Sequence, residues 1–406
     1  MAYLLATCNQ ITFTLKVPCP SGSIVLVIFL MLTLSCRNSD SRNEVLSKQL
    51  RRDTSQKRID TAFFNFMVKD HVPAASVAIA KNGHLVYVRA FGQANLSNGI
   101  EADDQSLFRI IESTMAITSL AIKKLIAEGR IHYNSKIFGN GGILGIQNGR
   151  NHGAWITEVT VENLLKNQSG GWYGADDEVG DMSFRQLFSS KDSAISWVLD
   201  HVPLKSPPGA PSNFSLFDYF VLGRIIEKVS GMSYESYVKE RVLLPAGITE
   251  MQLAADTPRS HEVAYYKDSE WPHFTDGKID DKQYLSIGDA ALGWIASAAD
   301  MVKLMIKYTN EDSLLGNINI SRAKSSMGTA RADGDYDFDW CSTDSSHDWW
   351  LQFATLGSST IMMRSSRGIC WSILINTSTQ NLIDDLDQII KKINIDSTIR
   401  WPVGGG

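Results

Sequence analysis

Two stretches that read as paired strands stand at opposite ends of this chain, and together they restrict the fold more than any other feature. Near the start, Ala75-Ser76-Val77-Ala78-Ile79-Ala80 runs into Lys81-Asn82-Gly83 and returns through His84-Leu85-Val86-Tyr87-Val88. Asn-Gly supplies the positive φ angles of a type I′ turn, so the stretch is a β-hairpin. Near the end, Thr360–Arg364 and Ile369–Asn376 are two more strands, separated by Ser365-Ser366-Arg367-Gly368. Helices dominate between them. Ile117, Leu120, Ala121 and Leu125 predict a helix from about Ser113 to Glu128, stopped by Gly129. Tyr219, Leu222, Ile226 and Val229 predict another over Phe217–Ser230, ended by Gly231. Ser297-Ala298-Ala299-Asp300 opens a third through a capping box, and a last helix covers Leu382–Ile393. This order is that of an α+β body. Its antiparallel sheet is assembled from N- and C-terminal strands and flanked by helices, with a mainly helical region besides.

The beginning of the chain differs in kind. Residues 23–35, SIVLVIFLMLTLS, are apolar, and the run of 13 is short for a membrane span of roughly 20. It fits the apolar core of a signal peptide, with an uncleaved membrane anchor as the alternative. Ser35-Cys36 resembles the end of a bacterial lipoprotein signal, although Thr33 stands where leucine is usual. The expected division is therefore 1–36 signal peptide or anchor, 37–58 polar tether, 59–396 folded domain and 397–406 tail. That places the domain outside the cytoplasm, secreted or membrane-anchored.

The charge excludes one class of partner. A net −5 over 406 residues, without a basic stripe, gives nucleic acid nothing to bind. The five cysteines and eight histidines show no metal-ligand spacing, so neither metal nor cofactor is expected. Cys341 and Cys370 read as buried free thiols, with a disulfide between C-terminal strands as the other reading. Asp333–Trp340 alternates acids with aromatics but has neither the glycine nor the terminal glutamate of a calcium loop, and its period of two says strand. Gly139–Gly145 follows a helix and lacks the lysine of a phosphate loop, so it reads as a connection.

Several segments in order carry a resemblance: VPAASVAIAKNGHLVYVRAFG (72–92), LFRI before a helix ending AEGRI, VTVENLLKNQSGGW (159–172), PPGAPSNFSLFDYFVLGRIIEKVSGMSYESYVKERVLLPAGI (207–248) and GWIASAADMVKLM (293–305). With the C-terminal strand pair, they resemble the serine β-lactamase and penicillin-binding-protein superfamily, in its class C-like esterase and peptidase branch. The likeness spans roughly 60–393 and implies the β-lactamase/DD-peptidase fold. It also implies a site of three motifs: Ser-x-x-Lys opening the first helix, Tyr-x-Asn, and Lys- or His-x-Gly on a strand. In such a site the lysine and tyrosine take the serine's proton, and backbone N–H groups receive the oxyanion.

Laid on this chain, the resemblance puts Glu112 at the nucleophile's position and Met115 at the lysine's. Phe214 falls at the tyrosine and Leu216 at the asparagine, while Leu351 and Phe353 fall at the two ends of the third motif. Every reactive side chain is replaced. Ser113 and Thr114 are one and two positions along, rotated by about 100° per residue, and neither has a lysine three residues later. Ser113 is placed to cap the helix. Glu112 is expected as an anion in the former oxyanion pocket, held by N–H groups and the positive end of the helix. The expected function is that of a hydrolase relative without its chemistry, serving in binding, scaffolding or regulation with an unidentified ligand or protein partner. The alternative is an active hydrolase using Glu112 or Ser113.

Overall fold

The computed structural model of the chain describes residues 54–145, 154–172, 190–210, 215–267, 288–309, 349–355, 357–365, 368–378 and 382–395, with 399 and 401. The apolar run 23–35, Cys36, Cys341, the strand expected over Asp333–Trp340, and Phe214 lie outside these residues.

The chain runs through helix α1 (Thr54–Lys69), strands β1 (Ala74–Lys81), β2 (His84–Asn95), β3 (Ile100–Glu101) and β4 (Phe108–Arg109), then a 3₁₀ turn, Ile111–Ser113. Helices α2 (Thr114–Ala127), α3 (Val161–Leu165), α4 (Lys191–His201), α5 (Leu216–Ser230) and α6 (Tyr234–Val238) follow. Next come β5 (Gln252–Leu253), β6 (Tyr266–Lys267), α7 (Asp289–Leu292), β7 (Trp294–Ala296) and α8 (Ala298–Thr309). The described residues close with β8 (Trp349–Thr355), β9 (Ser358–Arg364), β10 (Ile369–Ile375), β11 (Thr377–Ser378) and α9 (Leu382–Ile395).

The main sheet has six strands in the order β3-β2-β1-β10-β9-β8. All its pairings are antiparallel, and β1 at the start of the domain joins β10 near its end, Ser76 opposite Leu374. The architecture is thus α+β, as the strand distribution requires. Asn82 and Gly83 both have positive φ, 53° and 79°, which is the turn chemistry Asn-Gly predicts.

Alternation along β1 sends its residues to two cores. Ala75, Val77 and Ile79 face a cluster with Phe63, Phe66 and Met67 of α1 and Leu386 and Ile390 of α9. Ala74, Ala78 and Ala80 face the other, larger cluster, which includes Met301, Val302 and Met305 of α8. Small side chains on this face let α8 lie directly on β1 and β10. The expected caps are present: the Ser297 hydroxyl donates to Asp300 Oδ2 at 2.8 Å, and Gly231 ends α5 with φ 74°. The Gly139–Gly145 connection spends its amides on its own carbonyls, with Gly139 N–H donating to Gly145 O and Gly145 N–H to Gly142 O. Cys370 is a buried free thiol, pushed up to about 11 by burial.

Candidate functional site

The first motif position is built on a pinned turn. Arg109 on β4 pairs with Ile295 of β7, and its guanidinium lies 4.0 Å from the centre of the Tyr265 ring with Nε 3.7 Å from Glu262 Oε1. Its amide donates to the Tyr265 hydroxyl at 2.9 Å, and its carbonyl accepts from Ser358 Oγ at 2.7 Å. Ile110 N–H donates to Trp294 O. So held, the chain forces Ile111 to φ 45°, a left-handed conformation that costs a β-branched residue on the order of 1–3 kcal/mol. Glu112 comes next, in the turn that starts α2.

Glu112 is only partly the anion the sequence suggests. Its carboxyl folds back to accept from its own backbone N–H, but Oε2 is sealed from water without any hydrogen-bond partner. Burial outweighs that one bond and pushes the carboxyl up to about 7, whereas an anion held by a helix terminus would sit below the usual range. The expectation of a stabilised carboxylate is corrected accordingly. Ser113 is corrected too: it occupies the cap position, yet its side chain makes no cap hydrogen bond, and its fully buried Oγ has no partner. Its helical φ and ψ, −60° and −18°, are not the extended backbone of a capping residue.

Met115 is fully buried in the large core, which also contains Ile111 and Phe353. Strands β8 and β9 pack against the turn. On β8, Leu351 lies opposite Met362 and Phe353 opposite Thr360, and Phe353 is buried. Leu216 is the first residue of α5, half-buried against the same core. The fold thus gathers the first and third motif positions at one place.

Hydroxyl and amine partners near the turn are committed elsewhere. Thr114 Oγ1 accepts from the Trp294 backbone N–H at 3.3 Å. The Tyr234 hydroxyl meets Thr118, one turn further along α2, at 2.6 Å and accepts from Trp294 Nε1. The Tyr219 hydroxyl donates to Leu165 O and meets Ser119. Among the described residues no lysine amine or tyrosine oxygen hydrogen-bonds Ser113, and no group of three or more potential metal ligands occurs.

A second polar cluster escaped sequence reasoning. Asp218, fully buried at the third position of α5, accepts from Ser169 Oγ at 2.7 Å, and its amide donates to Ser215 Oγ at 3.3 Å. Ser215 N–H in turn donates to Asn167 Oδ1 at 2.6 Å. Asp218 Oδ2 has no partner, and burial pushes the carboxyl up to about 8. The signal was present as Ser215-x-x-Asp218, a capping pattern immediately beside the second motif. A cavity of about 250 Å³ lies elsewhere, lined by Glu235, Leu253, Asp256, Arg259 and Asp289 among others, and holds none of the motif positions.

Comparison with known proteins agrees with this geometry. The chain is 28% identical over 218 residues to Protein flp of Staphylococcus aureus, covering 52% of this chain and 41% of that one. It spans about two fifths of the length of the curated relatives it matches. Among solved structures, D-amino acid amidase from Ochrobactrum anthropi SV3 superposes with a TM-score of 0.65 at 16% identity, over 84% of this chain and 99% of that one. FmtA from Staphylococcus aureus superposes with a TM-score of 0.62, also at 16% identity, over 87% and 93%. These likenesses establish the β-lactamase/DD-peptidase fold. The Beta-lactamase family model matches residues 59–392, and the chain belongs to that family.

Proposed function

We propose that this protein is a member of the serine-hydrolase family that has given up acyl transfer. On this reading it acts as a binding, scaffolding or regulatory domain at the cell envelope or outside the cell. The observation that carries the reading is the pair Glu112 and Met115: a carboxyl at the nucleophile's position, and a fully buried thioether where a proton-accepting amine would be needed. A hydroxyl becomes an attacking group only beside a base. Thr114 Oγ1 is engaged by a backbone amide, and Ser113 Oγ meets no lysine or tyrosine among the described residues. Acid–base assistance contributes roughly 10²–10⁴-fold and the nucleophile still more, so losing both leaves little turnover. The apolar run 23–35 supports an exported or tethered location.

The test is to incubate purified protein with an ester, a chromogenic cephalosporin and a serine-directed fluorophosphonate. Neither turnover nor labelling is expected. Turnover abolished by Glu112→Ala or Ser113→Ala would establish instead an active hydrolase with an unfamiliar site. The unpartnered oxygens of Glu112 and Ser113 are the observation favouring that second reading.

A further inference from the structure

Charge on the layer formed by α1 and α9 is sorted to one end. Helix α1 leads into β1 through residues 70–73, and Asp60, near its start, accepts from the hydroxyl of Tyr87, which lies opposite Ile79 close to the β1–β2 turn. So α1 begins beside that turn and ends away from it. At the far end Lys69 Nζ meets Asp385 Oδ2 at 2.5 Å, which sets the start of α9 against the end of α1. The two helices therefore run antiparallel, and the last turns of α9 come back to the β1–β2 turn. This end carries Lys57 and Arg58 of α1 and Lys391 and Lys392 of α9, all exposed. Beside them Lys81 Nζ lies 5.9 Å from the centre of the half-buried Trp401 ring. The acids of α9, Asp384, Asp385 and Asp387, fall within its first six residues, at the opposite end. Otherwise the described carboxylate on α1, α9 and the hairpin is Asp60, fully buried against Tyr87 and Arg89. Asp396 and Arg400 lie outside the described residues.

Helix stability does not account for this end. Lys392, in the last turn of α9, complements the negative pole there. Lys57 and Arg58 do the opposite: they stand at the start of α1, its positive pole, with no acid in the first turn to offset them. A surface of negative charge outside the domain would complement all four side chains at once. We propose that this end docks on the anionic phospholipid surface of a membrane, with Lys57, Arg58, Lys391 and Lys392 at the headgroup phosphates and Trp401 at headgroup level, where indole rings are favoured. The layout of the chain selects a bilayer as the occupant. Residues 36–53 are the 18 that separate the apolar run from α1, and a polar chain of that length spans about 20–25 Å root-mean-square. It joins the domain at the basic end itself. Surface charge acts only within a Debye length of about 8 Å, so the tether brings the domain near and the basic end orients it. Each basic side chain near an anionic leaflet strengthens association roughly fivefold, and four together roughly 600-fold. The proposal rests on the envelope location proposed above, which is what brings a bilayer within reach.

Lysine footprinting on the full chain reads the docking. The chain is mixed with vesicles of phosphatidylcholine, alone or with phosphatidylglycerol, tested for flotation, and treated with a membrane-impermeant acylating reagent before mass spectrometry. Lys57, Lys391 and Lys392 should be protected severalfold on the anionic vesicles only, and salt at about 0.5 M should remove the protection. The exposed Lys228 on α5, a helix packed among α2, α3, α6 and α7, should label equally throughout. In the double variant Lys391→Gln with Lys392→Gln the docking constant should fall roughly 25-fold, so that Lys57 loses its protection. Equal labelling on the two kinds of vesicle, or protection of Lys57 that persists in the double variant, overturns the proposal. So does equal protection by soluble poly(glycerol phosphate) added to phosphatidylcholine vesicles, which would assign the basic end to a soluble polyanion. Flotation with phosphatidylcholine alone reads the apolar run. Flotation there without protection on anionic vesicles defeats the docking and leaves the tethered location standing, whereas protection on anionic vesicles without that flotation defeats the tether and leaves the docking standing.

Discussion

Replacing Asp218 by asparagine should flatten the dependence of global stability on pH. The carboxyl is fully buried, and burial outweighs the hydrogen bonds it receives from the Ser169 and Ser215 hydroxyls and the Ser169 amide while Oδ2 has no partner, so the folded chain keeps the proton up to about pH 8. In the unfolded chain it leaves near the ordinary 3.8. Between those values the native state binds one more proton than the unfolded state, so stability must fall as pH rises. The slope from this group approaches about 1.4 kcal/mol per pH unit, summing to at most about 6 kcal/mol by the time pH passes the folded value. Stability from this source is thus fully present below pH 4 and lost by pH 8. Asparagine keeps the shape and removes the titration. It also buries an amide with unmet donors, a pH-independent cost of about 1–3 kcal/mol, so the slope and not the absolute stability is the readout. Urea unfolding at pH 5, 6 and 7, extrapolated linearly at constant m, gives that slope for both proteins. Glu112 titrates in both and cancels in the difference if the sites are independent. The expected result is a wild-type line steeper by about 1 kcal/mol per pH unit. Parallel lines would refute the claim that this carboxyl is buried without adequate hydrogen bonds.

Two substitutions probe packing and the lost chemistry. At Gly223 in α5 an added Cβ would stand 2.5 Å from the Ala290 Cβ of α7, so Gly223→Ala should cost about 1–3 kcal/mol in thermal or urea unfolding by prising those helices apart. Met115→Lys places an ammonium in a fully buried apolar site and should lose several kcal/mol. The double variant Glu112→Ser with Met115→Lys should still not hydrolyse an ester, because Phe214 and Leu216 supply neither hydroxyl nor amide; robust turnover would contradict this.

What could be read in the sequence was what local periodicity and turn chemistry dictate. The hairpin followed from Asn82-Gly83, the end of α5 from Gly231, and the start of α8 from Ser297 and Asp300; each is settled within a few residues of chain. The motif positions were located by order, since Glu112 and Met115 stand a helical turn apart whatever surrounds them. Ser113 does not cap, because a cap depends on backbone conformation as well as residue type and the pinned turn holds it helical. At Glu112 the nearby helix terminus is legible in the sequence, whereas the sealing of Oε2 from water depends on the tertiary fold. The Asp218 cluster is not legible locally, because its partner Ser169 lies 49 residues away, a separation no local pattern encodes.

The bonds that fix the turn are independent of the chemistry once expected there. Ser358 Oγ holds the Arg109 carbonyl, Tyr265 holds the Arg109 amide, and Trp294 O and N–H hold Ile110 and Thr114. None of these groups is a motif side chain. Together they offer four hydrogen bonds, each worth about 0.5–1.5 kcal/mol net, against a strained Ile111 costing about 1–3 kcal/mol. The backbone shape therefore stands whether residue 112 is a serine or a glutamate. A scaffold stabilised apart from its reactive groups can lose them one by one without unfolding, while its hydrophobic pattern stays in place. That independence is why flanking residues remain recognisable at all three motifs although every reactive position has changed. It also means the carboxyl at position 112 is carried by a turn it does not itself hold in place, with one oxygen sealed from water and unpartnered.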